Sequence, residues 1–228
     1  MVDKWIAIAA VLFFLASSDS LAEKKRSFLV IETDGDVLVL DPGRLAQRKL
    51  LPNTFLEKGT VLKTGSNSFV QMALSEGLEA GMKVEPHSRL DLLGLSPPRV
   101  FLKQGTLLVL RDREILEEAG GPVSGGGERP FAPALRVSTR DGWVETRYGG
   151  CQIQVSERGT AVRVFDGEAA VSASFGKGEK PFAVREGFKC FLGSKKPPVF
   201  PFRMGFEDYA RWEVWMREFY EKRDDLTF

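Results

Sequence analysis

Reactive chemistry near neutral pH is carried in this sequence by one histidine, His87, and two cysteines, Cys151 and Cys190. A catalytic constellation needs a nucleophile, a base and a group that orients the base. His87 stands between Pro86 and Ser88, where a lone turn histidine is a solvated surface residue. No Gly-x-Ser-x-Gly elbow occurs, so the nucleophile of an α/β-hydrolase is missing. No Cys-x-x-Cys or His/Cys cluster offers the spacing of a zinc site. Gly176-Lys177-Gly178 lacks the flanks of a phosphate loop or dinucleotide fingerprint. Glu117-Glu118 and Asp224-Asp225 are adjacent acids whose side chains point apart, which suits solvated charge rather than an acid/base couple. We therefore expect a non-enzyme with no catalytic residue, no metal and no cofactor.

The cysteines depend on the compartment, and the N-terminus bears on it. Lys4 supplies a positive n-region, Trp5 to Ala16 an apolar run, and Ser20-Leu21-Ala22 a small-x-small cleavage site. Residues 1–22 thus read as a signal peptide, too short for a membrane span of about 20 apolar residues. Lys24, Lys25 and Arg26 follow directly and resist translocation, so an uncleaved signal anchor is the alternative. Either way the folded part is expected outside the cytoplasm, periplasmic or secreted, with membrane attachment only if the signal stays. No cysteine follows the apolar run to take a lipid anchor there. In an oxidising space an even cysteine count favours a Cys151–Cys190 disulfide. Such a bridge would contribute about 3–4 kcal/mol by loop entropy; the alternative is two buried thiols acting as small apolar residues. With 32 basic and 31 acidic residues, bulk charge recruits neither nucleic acid nor an anionic membrane.

The elements that would position any site are strands. Turn signals recur about every 8–12 residues, as in all-β domains. In Gly59 to Leu74, a Thr60–Lys63 strand enters the Thr64-Gly65-Ser66-Asn67-Ser68 turn and leaves as Phe69–Leu74, a hairpin or a coil corner. Asp34-Gly35, Glu76-Gly77, Glu85–Ser88, Gln104-Gly105 and Asp166-Gly167 punctuate further strands. Ile153, Val155, Val162, Val164 and Val171 alternate onto one buried face. Arg44 to Lys58 reads as a looser stretch, and Glu114 to Ala119 as a short helical turn. Gly120 to Pro133 is Gly/Pro-rich and reads as a mobile surface loop 120–133 inside one domain. Lys195 to Pro201 reads as an extended linker.

A helix follows within 203–224. Tyr209, Trp212, Met216 and Phe219 recur at helical spacing over Phe206 to Lys222, widened by Trp215 and Tyr220. This aromatic face either packs on the chain's own β layer or docks a partner, since Trp and Tyr dominate interface hot spots. Tyr209, Trp212, Trp215 and Phe219 are the candidate partner-binding residues.

Taken in order, the β motifs resemble the FecR family. The carriers are Gly35 to Val39, Leu56 to Gly59, Thr64-Gly65 with Ser68, Val70 to Leu74, Glu76-Gly77, and Pro86 with Ser88. In the second half Gly150 to Val155 and Val162 to Val171 take the family's paired strands. Cys151 stands for its usual Thr and Ile153 for its usual Phe. The resemblance covers Asp34 to Ala173. It implies a β-roll, solenoid-like or sandwich stack of short strands over 28–194, and an extracytoplasmic sensing role. Only Met1 to Lys4 precede the apolar run, so direct regulation of a sigma factor is not expected. The leading expectation is an exported, non-enzymatic module acting on an envelope protein, a small ligand or a glycan, with no nucleic acid. The alternative is a structural scaffold that joins neighbours through exposed strand edges; an envelope hydrolase is a third reading.

Overall fold

A computed structural model describes residues 27–74, 80–111, 134–174, 180–193 and 198–224. The expectations for residues 1–22, Glu76-Gly77, Glu114 to Ala119 and the 120–133 loop lie outside the described residues.

Described residues form strands β1 (Phe28–Asp34), β2 (Val37–Leu40), β3 (Arg48–Lys49), β4 (Phe55–Leu56), β5 (Val61–Thr64), β6 (Phe69–Leu74), β7 (Ala80–Val84) and β8 (Arg89–Leu95). There follow β9 (Pro98–Arg111), β10 (Leu135–Thr139), β11 (Gly142–Ser156), β12 (Gly159–Ala173), β13 (Phe182–Arg185), β14 (Phe188–Leu192), β15 (Val199–Arg203) and helix α1 (Phe206–Asp224). The class is all-β with one C-terminal helix.

Pairing divides the strands into two layers. The first runs β4-β1-β6-β7-β9-β11-β12-β14-β15. The second runs β3-β2-β5-β8-β9-β10-β11-β12-β13. Three long strands belong to both. The first half of β9 pairs with β8, while its second half pairs with β7 and β11. Gln104-Gly105, expected as a turn, is thus a bend within a continuous strand, and Asp166-Gly167 is the same within β12. Positive φ at Gly105 (90°) and Gly167 (72°) permits the bend. Residues 48–56, expected to be loose, strap the open edge from β3 to β4. Leu50 N–H donates to Val37 O at 2.9 Å and Asn53 N–H to Val30 O at 2.8 Å, with Leu50 and Leu56 buried beneath.

Alternation fills the space between the layers. Val30, Val70, Met72, Met82, Leu107, Val109, Ile153 and Val162 face in from the first layer; Val39, Leu62, Leu90, Val100, Leu102, Val137, Val144 and Val171 meet them from the second. The corner after β5 does not form a hairpin. β5 pairs with β2 and β8, and β6 with β1 and β7, so the turn carries the chain from one layer to the other.

Successive corners stack through hydrogen bonds. Asp36 N–H donates to Ser68 Oγ at 2.8 Å, and Gly65 N–H donates to Asp36 O at 2.9 Å. His87 N–H donates to Gly65 O at 3.0 Å. Ser88 N–H donates to Thr64 Oγ1, and Thr106 N–H to Ser88 Oγ, each at 2.9 Å. Asn53, Asn67 and His87 hold φ of 59°, 51° and 56° in equivalent turns, a region that Asn and His enter more readily than other side chains. The sole histidine thus has a conformational reason for its place, and it is exposed as expected.

The outward face of the first layer is covered by α1. Trp212, Trp215 and Phe219 are buried against Leu108, Leu110 and Phe165, with Tyr209 partly buried beside them. Two glycines make room: a Cβ on Gly150 would lie 2.0 Å from the Trp212 ring, and one on Gly81 2.4 Å from Phe219. Trp215 Nε1–H donates to Gln71 Oε1 at 3.1 Å, and Gln71 Nε2 donates to Glu32 Oε2 at 2.6 Å. Lys222 Nζ closes this chain on Glu32.

Asp208 pins the start of the helix. It accepts from Gly205 N–H at 2.9 Å, Arg163 Nε at 2.8 Å and Lys189 Nζ at 2.7 Å; the bond from Gly205 is a reach back from the third helical residue to the one before the helix, like that of a capping box. Burial opposes ionisation of Asp208, but the bonds from Lys189, Arg163 and Gly205 outweigh it and hold the carboxyl at about 2. Its folded value lies below the unfolded one, so the stabilisation is present above about pH 4 and disappears as pH falls through about 2. Acid titration of the unfolding free energy should lose about 2 kcal/mol across that window. Asp208→Asn should flatten that part of the curve; an unchanged slope in the variant would refute the assignment.

The cysteine expectation is corrected here. Cys151 on β11 faces Val164 of β12, and Cys190 on β14 faces Val162 of β12. A whole strand lies between them, so their backbones stand about 10 Å apart, beyond the roughly 7 Å that a bridge spans. Both thiols are free and buried, and burial pushes each up to about 12. Iodoacetamide at pH 8 should leave both unmodified in the folded protein and alkylate both in guanidinium without reductant. A mass that shifts only after reduction would show a bridge instead.

Candidate functional site

With α1 packed on one face of the sandwich, the outer face of the second layer is the sheet surface that the described residues leave uncovered. Its centre is one row across five strands. Asp91 of β8 faces Phe101 of β9, which faces Ser138 of β10, then Trp143 of β11 and Ser172 of β12. Their neighbours Val100, Leu102, Val137 and Val144 are buried in the core, so period-two alternation turns Phe101, Ser138 and Trp143 outward. The next row is Arg99, Arg136 and Glu145.

Electrostatics divide these groups. Arg136 is held in place: its Nη2 meets Glu145 Oε2 at 2.7 Å, and its guanidinium carbon sits 4.5 Å from the centre of the Trp143 ring. Arg89 and Asp91 pair at 3.5 Å. Among the described residues no carboxylate lies within ion-pair distance of Arg99 or Lys103, and both are exposed.

Where β9 bends, the face deepens into a cleft of about 610 Å³ bounded by His87, Phe101, Lys103, Arg140, Ser156 and Glu157. Arg140 donates from Nη2 to Ser156 O. Buried Asp141 fixes the turn behind it, accepting from Thr160 Oγ1 at 2.8 Å. Gln104 Nε2 donates to His87 O at 3.3 Å. A second groove, about 320 Å³, runs along α1. Its charges satisfy one another, Lys83 with Glu218 at 3.7 Å and Arg211 with Glu85 at 4.0 Å, so it presents little net charge.

The candidate partner residues Tyr209, Trp212, Trp215 and Phe219 come together, but under the helix. Trp212, Trp215 and Phe219 retain 4%, 1% and 2% exposure, so a partner could reach them only by displacing α1. Of the two readings given for this face the structure takes self-packing and the partner-binding one is corrected, the reason being the pair of glycine recesses and the Gln71 acceptor. Phe101, Lys103, Ser138, Arg140 and Trp143 were not singled out by sequence. The available sign was aromatic residues on the solvent side of alternating strands. Among the described residues no group of three or more His, Cys, Asp or Glu could hold a metal ion, and no helix is long and apolar enough to cross a membrane.

Fold and face together define a two-layered β sandwich that caps one sheet with its own helix and presents the other. No protein-family model matches the chain, and no curated protein matches it. Two crystal structures of a candidate anti-sigma factor from Parabacteroides distasonis are similar to it at 11% identity, with TM-scores of 0.49 and 0.48. Each alignment covers 67% of this chain and 63% of the other, less than two thirds of that protein's length. A likeness at that level carries nothing about activity.

Proposed function

We propose that this protein is a non-enzymatic, exported binding or sensing module of the cell envelope, FecR-like in its corner motifs, that meets its partner through the open face of the second layer. The asymmetry of the sandwich carries this reading. One sheet is covered by α1, while the other leaves Phe101, Arg99 and Lys103 facing solvent with no internal charge partner among the described residues. The scaffold alternative has less support. Edge strands β3 and β4 have two residues each, and β15 contains Pro201, features that blunt strand addition.

A photo-crosslinking residue at position 101 in intact cells tests the proposal, with one at position 217 on the exposed side of α1 as reference. Adducts at 101 and none at 217 are expected. Equal labelling, or none at 101, would remove the open face as the binding surface.

A further inference from the structure

Resting on that reading of the open face, we infer that its ligand is a carboxylate-bearing polysaccharide lying along β10 between Phe101 and Trp143. The trough is built by register. Phe101 and Trp143 flank Ser138 from the strands on either side, so walls about 10 Å apart enclose a floor on which the Ser138 hydroxyl follows Arg136, whose guanidinium lies against Trp143. That width admits one extended chain. Cations stand at both ends. Arg99 and Arg136 share one row, and Lys103 and Arg140 line the cleft at the other, with the carboxylate of Glu157 on its far wall, about 13 Å further along the strand. Arg136 is already neutralised by Glu145, and Arg140 is paired with buried Asp141 at 3.6 Å. Arg99 and Lys103 are left as open positive charges, and acidic groups spaced along a polymer would meet them.

The chemistry of the face separates polysaccharide from the other acidic polymers. An extended peptide needs partners for its own N–H and C=O groups, and it finds them at a sheet edge rather than on a face whose backbone is already paired. Single-stranded nucleic acid needs successive open rings for its bases, but the Trp143 ring is covered by Arg136 at 4.5 Å. A sugar ring brings one apolar face, which Phe101 can take, and edge hydroxyls for Ser138 and Gln104. Its carboxylates take Arg99 and Lys103.

Calorimetry of the full chain against polygalacturonate tests this, with neutral dextran, poly-L-glutamate and oligothymidylate as comparisons. Polygalacturonate should bind in preference to all three and weaken as salt rises. The Arg99→Ala/Lys103→Ala double variant should weaken it about tenfold with an unchanged melting temperature, because neither side chain has a charge partner among the described residues. Phe101→Ala should weaken it too, which diffuse charge attraction alone would not predict. Equal binding of dextran, tighter binding of poly-L-glutamate or oligothymidylate, or full affinity in the double variant would overturn the inference. If polygalacturonate fails while crosslinks at 101 persist, the ligand class is wrong and the binding face stands; if both fail, both readings fall.

Discussion

Trp215→Ala should destabilise the protein by about 4 kcal/mol in denaturant unfolding, the largest loss expected from any single side chain of α1. Trp215 is 1% exposed and packs edge-on against Trp212, with ring centres 5.2 Å apart. Truncation removes that packing and opens a cavity between helix and sheet. It also strips the only described donor to Gln71 Oε1, at a position of 0% exposure, and an unpaired buried acceptor adds to the cost. Val214→Ala is the matched reference. Val214 is 55% exposed, and its replacement should change stability by no more than about 0.5 kcal/mol. Near-equal effects of the two variants would mean that α1 is not seated on the first layer.

Gly105→Ala should cost about 2–5 kcal/mol and lower the yield of folded protein. Two penalties add. Its φ of 90° is strained for any side chain, worth about 1–2 kcal/mol. A Cβ would also stand 2.1 Å from Ser88 Oγ and 2.5 Å from Ser88 Cα, so the stacked corner must move, at about 1–3 kcal/mol. Gly43 is the reference, since its φ is 73° but nothing lies within 4 Å of an added Cβ. Gly43→Ala should therefore show the conformational penalty alone. If the two variants unfold at the same denaturant concentration, the close approach of β9 to the Ser88 corner is not real. Reduced folding of Gly105→Ala should also reduce crosslinking at 101, since the bend borders the cleft.

The strands were legible because their cause is local. Val100, Leu102 and Val137 alternate with polar or aromatic neighbours, and alternation alone decides which side is buried. The helix was legible for the same reason, through the spacing of Tyr209, Trp212, Met216 and Phe219. What failed concerned partners distant in sequence. Gln104-Gly105 allows either a reversal or a bend, and only the supply of β7 beside one half of β9 and β8 beside the other decides between them. The cysteine bridge failed similarly. An even count suggests pairing, but β12 comes between Cys151 and Cys190, which no local pattern records. Sequence leaves the destination of the aromatic helix face open, because the glycines that receive it, Gly150 and Gly81, lie about 60 and 140 residues before the rings they admit. The open face was illegible as a unit. Phe101 meets Trp143 only through the parallel register of β10 on β9, and an outward aromatic on one strand says nothing of its neighbour two strands away.

Strands β9, β11 and β12 each begin in one sheet and finish in the other. The sheets are therefore stitched together covalently three times, and neither can peel off while the other stays intact. Melting should proceed as a single all-or-none step rather than sheet by sheet, and a fragment carrying either half of the sequence alone should not acquire native structure.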